Sequence, residues 1–166
     1  MSVELSHPWK AEAAFQGEVA IEVVADASER AAVAVRLGVA GIAELACRFS
    51  LSMVPGEFGR IMGDGRLRAR VTRECVVSLD DFEEHITEAF RVVFVPEGTE
   101  SNDDDPEADD EVPYAGSMID LGEATVEQVA LMMAPYPRKP GVALAEEAGE
   151  QQSSPFASLS RLRPAH

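Results

Sequence analysis

Three stretches of two-residue alternation leave this chain few folds. From Ile42 to Met53, Ala43, Leu45, Cys47, Phe49, Leu51 and Met53 share one parity, while Glu44, Arg48, Ser50 and Ser52 share the other. Successive side chains of a strand point to opposite faces, so the pattern predicts a half-buried strand. Arg66 to Cys75 repeats it. Leu67, Ala69, Val71 and Cys75 are inward, Arg66, Arg68, Arg70, Thr72 and Glu74 outward, and Arg73 breaks the rule near the end. Phe82 to Val95 is the third, with Ile86, Phe90, Val92 and Phe94 inward. Between them, Pro55-Gly56 turns the chain, Phe58 to Met62 reads as a short strand, and Gly63-Asp64-Gly65 reads as a breaker or bulge. Ser78 to Asp81 is a connection. Long strands joined this closely predict an antiparallel meander.

Two helices accompany the strands. Val19 to Val24 is a first, shorter strand candidate, and Asp26 with Glu29 then forms a capping-box start for a helix that Gly38 ends. The stretch from Met118 to Gly141 opens the same way: Asp120 is the cap and Glu123, three residues on, completes the pair. Val126, Val129, Ala130 and Met133 recur at helical spacing, and Leu131 and Met132 widen the apolar arc. Pro135 stops the helix, and Pro137 and Pro140 hold its exit extended around the basic turn Arg138–Lys139. The two helices most simply cover the apolar face of the sheet. The expected fold is α+β: an antiparallel β-meander of three or more long strands, covered by two helices, with a long acidic loop.

Charge places that loop. The net charge is −16, yet nine acids fall between Glu97 and Glu111 with no base among them, which leaves −7 for the rest. Dense like charge with few hydrophobes cannot offset backbone ordering entropy, so residues 97–113 are expected to be a flexible acidic loop. It is either a solubilising linker or a nucleic-acid mimic that shields basic side chains or holds a basic protein. Residues 1–166 suit one domain: an extended arm over 1–18, docked by Trp9 and Phe15, and a polar connector over 143–154 leading to a docking tail at Phe156, Leu159 and Leu162. The acidic excess opposes non-specific binding to a polyanion and favours basic protein partners. No apolar run approaches the ~18 residues of a membrane span. The start lacks a basic-then-apolar pattern, and two cysteines suit a reducing compartment, so a cytoplasmic protein without membrane or DNA partners is expected.

Candidate chemistry is sparse. Cys47, Cys75, His7, His85 and His166 are the only soft or imidazole ligands, and none stands at a zinc spacing. Both cysteines lie at inward parity, where a thiol acts as a small hydrophobe. No nucleophile elbow or phosphate loop is visible, so neither a cofactor nor catalysis is expected. The one constellation of interest is the arginine stripe. Arg66, Arg68 and Arg70 share one face of a strand at a repeat of about 6–7 Å, close to the spacing of successive phosphates. Arg48 is positioned to adjoin them, and Arg138 and Lys139 form a second basic spot. The plainer alternative is a solvated face whose arginines pair across the sheet with Glu74, Glu84 or Glu88.

Several of these pieces resemble the YceD family, bacterial proteins associated with accumulation of large-subunit ribosomal RNA. Ile119-Asp120-Leu121 before a helix, with the Pro135 exit, is similar to the family's C-terminal signature, and Pro155-Phe156 with Leu159 resembles its closing element. Arg66 to Val77 resembles the strand that runs into the family's cysteine motif. His7-Pro8-Trp9 and the helix from Asp26 are similar to alphaproteobacterial forms. Many members carry Cys-x-x-Cys; here Cys75 fits the first position and Ser78 stands at the second. The resemblance implies a non-catalytic cytoplasmic factor supporting 23S rRNA accumulation and large-subunit biogenesis, through a ribosomal protein or a pre-ribosomal RNA–protein intermediate. The alternative is an acidic protein-interaction module, working through its helix and tail, with no link to ribosomes.

Overall fold

The computed structural model describes residues 4–101 and 109–142. Its elements are β1 (Pro8–Lys10), a 3₁₀ helix (Ala11–Gln16), β2 (Val19–Val24), α1 (Ala27–Leu37), β3 (Gly41–Met53), β4 (Ile61–Glu74), β5 (Asp81–Pro96), β6 (Asp110–Tyr114), β7 (Met118–Asp120) and α2 (Leu121–Met132). Five strands form one sheet in the order β2-β3-β4-β5-β6, and β1 pairs with β7 in a separate two-stranded ribbon. The class is α+β, but the sheet is mixed: β2 to β5 pair antiparallel, and β6 joins β5 in parallel.

One face of the sheet carries the core. Leu45, Cys47, Phe49 and Leu51 from β3, Leu67, Ala69 and Val71 from β4, and Ile86, Val92 and Phe94 from β5 are buried in a single cluster. Val33 and Ala34 of α1 and Leu121, Ala124, Val126 and Val129 of α2 cover them. The register departs from simple alternation at one place. Ile42 pairs with Val71 and Glu44 with Arg70, so Ala43 is a bulge residue; it is exposed rather than inward, and Ile42 takes the core position.

Gly63 and Gly65 do not break the chain. Both lie within β4, paired on each side, and Phe58 sits in the preceding turn rather than in a strand. The glycines are there because aromatic rings from β5 lie over them. A Cβ on Gly63 would come 2.9 Å from the Phe94 ring, and one on Gly65 would enter the Phe90 ring. Phe90 in turn meets Phe49 edge-on, with centroids 5.8 Å apart.

The N-terminal arm is structured rather than merely extended. Phe15, on its 3₁₀ helix, packs against Phe58 at 5.0 Å between centroids, and β1 docks the arm against β7. Asp120 is the junction. Its Oδ1 accepts the N–H groups of Gly122 and Glu123 as the cap of α2, and also that of His7 at 2.8 Å, while Ser6 donates its hydroxyl to Oδ2. Glu123 does not close a capping box: its carboxylate reaches across to Arg36 at the end of α1 in a two-pronged pair. The α1 start, by contrast, is a full capping box between Asp26 and Glu29. On α2, Ala130 and Leu131 face solvent, so the buried arc is narrower than the sequence pattern suggested.

The acidic segment also departs from expectation. Asp110 to Tyr114 is strand, because Val112 and Tyr114 pack on the core and the Tyr114 hydroxyl donates to the Gly59 carbonyl at 2.7 Å. Arg60 holds the two ends of the segment together: it pairs with Glu111 and donates to the Thr99 carbonyl, and Glu111 accepts the Ser101 N–H. The connector 143–154 and the tail positions Pro155, Phe156, Leu159 and Leu162 lie outside the described residues.

Candidate functional site

Among the described residues nothing covers the face of the sheet turned away from the helices, and β4 runs down its middle. Alternate residues Asp64, Arg66, Arg68, Arg70 and Thr72 project there. Register fixes their neighbours. Arg66 stands between Arg48 on β3 and Ala89 on β5, Arg68 between Ala46 and Thr87, Arg70 between Glu44 and His85, and Asp64 between Ser50 and Arg91. The sequence thus placed Arg48 correctly beside the stripe.

The stripe is partly neutralised, by partners other than Glu74, Glu84 or Glu88. Arg70 lies 3.2 Å from Glu44 and 3.7 Å from Glu83, and Glu83 also meets His85 at 2.7 Å. Arg68 reaches Glu22 of β2 at 3.9 Å. Asp64 pairs with Arg91 at 2.8 Å and raises that guanidinium's affinity for its proton, with Asp109 adding to the effect. Glu84 instead pairs with Arg73 at 2.8 Å and accepts the Ala134 N–H, which explains the interrupted alternation at Arg73.

Arg48 and Arg66 differ from the rest. They are direct cross-strand partners, and among the described residues neither has an ion-pair partner. Like charges set opposite one another on a sheet repel; Glu22 stands opposite Arg48 on β2, but among the described residues no carboxylate comes within ion-pair distance of either guanidinium. Together they form a ridge between two shallow hollows of about 550 and 540 Å³. The first is floored by Ala46 and Ala89, whose small side chains leave the guanidinium groups reachable; Glu22 and Glu88 lie at its margin. An anion placed over this ridge would relieve the repulsion and meet donors with fork geometry.

The second basic spot is separate. Lys139 lies beside Asp80 at 3.4 Å, in the turn between β4 and β5, and Arg138 is exposed next to it. That turn holds Cys75, which is just past the end of β4 rather than on it. Its side chain is fully buried, its N–H donates to the Asp80 carbonyl at 2.8 Å, and Leu79 completes the turn at φ 60°. The sulfur is surrounded by donors: the Ser78 side chain, then the backbone N–H groups of Lys139 and Ser78, bring the thiol pKa down to about 6. Ser78, three residues after Cys75, thus donates to the sulfur through both its side chain and its backbone N–H. Cys47 pairs with Leu67 across β3 and β4, so the two thiols do not face each other; both are free, and burial pushes the Cys47 thiol up to about 12.

Among the described residues, no helix is long and apolar enough to cross a membrane. No curated protein and no solved structure matches the chain. A family model does, over residues 63–163, from within β4 through α2 and into the tail. That span includes Arg66, Arg68, Arg70, Cys75 and Asp120, while Arg48 lies outside it. Covering more than half of the sequence, the match shows that the chain belongs to the YceD family, described as the large ribosomal RNA subunit accumulation protein.

Proposed function

We propose that this protein is a non-catalytic factor that supports accumulation of large-subunit ribosomal RNA by contacting a pre-ribosomal RNA–protein intermediate through the open face of its sheet. The observation that carries the reading is the Arg48–Arg66 ridge, two adjacent guanidinium groups that, among the described residues, form no ion pair on a face where Arg68, Arg70 and Arg91 do. Contacts from such a pair go to phosphate and read no base sequence. The net charge of −16 keeps affinity for free RNA low and makes an intermediate that also presents basic protein the better partner.

The experiment measures mature and precursor 23S rRNA relative to 16S in cells lacking the gene and in cells complemented with wild type or with Arg48→Glu/Arg66→Glu. A selective 23S deficit that wild type restores and the double variant does not is the expected result. An unchanged 23S to 16S ratio in the deletion, including in the cold, would overturn the reading. Full rescue by the double variant would remove the ridge from it.

A further inference from the structure

The sheet ends at β2 on one side and at β6 on the other, and the two edges are built differently. β6 carries Asp110, Glu111 and Pro113, and proline and charge are what proteins use to keep an edge from pairing. β2 reads Val-Ala-Ile-Glu-Val-Val, with no proline and no lysine. Its register against β3 is uninterrupted from Val19↔Leu51 to Val24↔Ala46. Apart from the single charge of Glu22, nothing in β2 discourages a further strand.

The direction of its backbone groups follows from one bond. The Ala25 N–H donates to the Leu45 carbonyl at 3.0 Å, in line with the β2–β3 register. Antiparallel ladders alternate, so Val19, Ile21 and Val23 turn their N–H and C=O groups toward β3, and Ala20, Glu22 and Val24 turn theirs outward. Among the described residues, no backbone bond outside the regular elements reaches those three. Val24 is 63% exposed, and Ile21 is only half-buried beside the core.

Along the sequence, the charge of the segment that carries this edge has one sign. No Lys or Arg occurs between Lys10 and Arg30, whereas Glu12, Glu18, Glu22, Asp26 and Glu29 do. Glu18 is engaged with Ser50, and Asp26 and Glu29 cap α1. Glu22 stands at the middle of the edge, opposite Arg48 on β3 and 3.9 Å from Arg68.

We propose that the free edge of β2 accepts an extended segment of a partner protein as a sixth strand, one that alternates apolar residues laid over Ile21 with Lys or Arg set against Glu22. Main-chain bonds to Ala20, Glu22 and Val24 supply the affinity and the alternation supplies the selectivity. A second copy of this chain is the poorer occupant. Each copy carries −16, and a two-fold pairing centred on the strand sets Glu22 against Glu22. The site adjoins the Arg48–Arg66 ridge, because Glu22 is the cross-strand neighbour of Arg48, but its main-chain bonds are made at the edge and not on the face.

The test uses the full chain and a capped synthetic octapeptide of alternating valine and lysine, read by residue-resolved amide exchange and by titration. The expected result is slowed exchange at Ala20, Glu22 and Val24 on adding peptide, with little change at Val19, Ile21 and Val23. Ala20→Pro removes an outward N–H without touching a bond to β3 and should abolish binding. Glu22→Lys, which leaves the backbone intact, should weaken it about tenfold. The proposal is overturned if the three outward amides are already protected in the free chain at high dilution, or if protection grows with protein concentration alone, which identifies a second copy. Peptide binding undiminished in both variants also overturns it, because the peptide then binds elsewhere by charge.

Discussion

Arg48 and Arg66 face each other across β3 and β4, and among the described residues no carboxylate lies within ion-pair distance of either one. Surfaces selected for stability alone pair such charges, as this face does at Arg70 with Glu44 and at Arg91 with Asp64. The unpaired ridge therefore predicts opposite responses in stability and in function. Arg66→Glu creates a favourable pair with Arg48 and should raise stability by about 0.5–1 kcal/mol in urea unfolding. The same change should weaken association with a pre-rRNA fragment. For single-stranded contacts, Arg48→Ala/Arg66→Ala should reduce the slope of log affinity against log salt by about 1.4. Equal losses of stability and binding would mean that the ridge is structural.

Asp120 holds three backbone N–H groups and the Ser6 hydroxyl. Asp120→Ala should cost about 1–2 kcal/mol from the cap alone and should free the arm, seen as faster exchange at the amides of residues 6–10. Burial acts to raise the Asp120 pKa, but the hydrogen bonds from Ser6, His7, Glu123 and Gly122 outweigh it and lower it. A carboxyl that titrates lower when folded stabilises the fold above its unfolded pKa, and the contribution fades as pH falls through the folded value. Urea midpoints measured from pH 7 to pH 3 should therefore drop more in wild type than in Asp120→Asn.

The Cys75 thiol should titrate near pH 6, and Cys47 should stay protonated throughout the ordinary range. Thiolate absorbance should show one group ionising around neutral pH, lost in Cys75→Ser and kept in Cys47→Ser. Because the folded pKa lies below that of a free thiol, ionisation stabilises the fold as pH rises toward 9. Ser78→Ala removes the largest donor and should move the titration upward.

Gly122 sits where α2 meets the arm. A Cβ there would lie 2.6 Å from the Leu5 carbonyl oxygen and 2.8 Å from the His7 nitrogen, both backbone atoms that cannot rotate away. Gly122→Ala should cost about 1–3 kcal/mol despite alanine's better helix propensity. Thermal unfolding checks this, and a neutral or stabilising outcome would show that the arm is loosely held.

Much of the sheet could be read from the sequence because the buried parity of β3, β4 and β5 is local. Ala43 hid the bulge, since alanine is as acceptable outward as inward. Gly63 and Gly65 looked like breakers because their reason for being glycine, the rings of Phe94 and Phe90, lies on another strand. Strand β6 was masked by its own acids, one of which, Glu111, Arg60 pairs with from a segment distant in sequence. The arginine stripe was visible, yet its value depended on register. Glu22, Glu44 and Glu83 come from three other strands, and only the fold shows that they reach Arg68 and Arg70 and leave Arg48 and Arg66 without an ion pair among the described residues.

The pairing of β1 with β7 has a consequence for the order in which the chain assembles. Trp9 meets Ile119, and the arm's latch at Asp120 is translated more than a hundred residues after the segment it secures. The strands β3, β4 and β5 are sequence neighbours and can zip as they emerge, whereas Leu5 and Trp9 have no docking site until α2 begins to form. Release of the last third of the chain is thus the step that closes the molecule, and a product truncated before residue 118 would carry a complete central sheet and an apolar arm with nowhere to go.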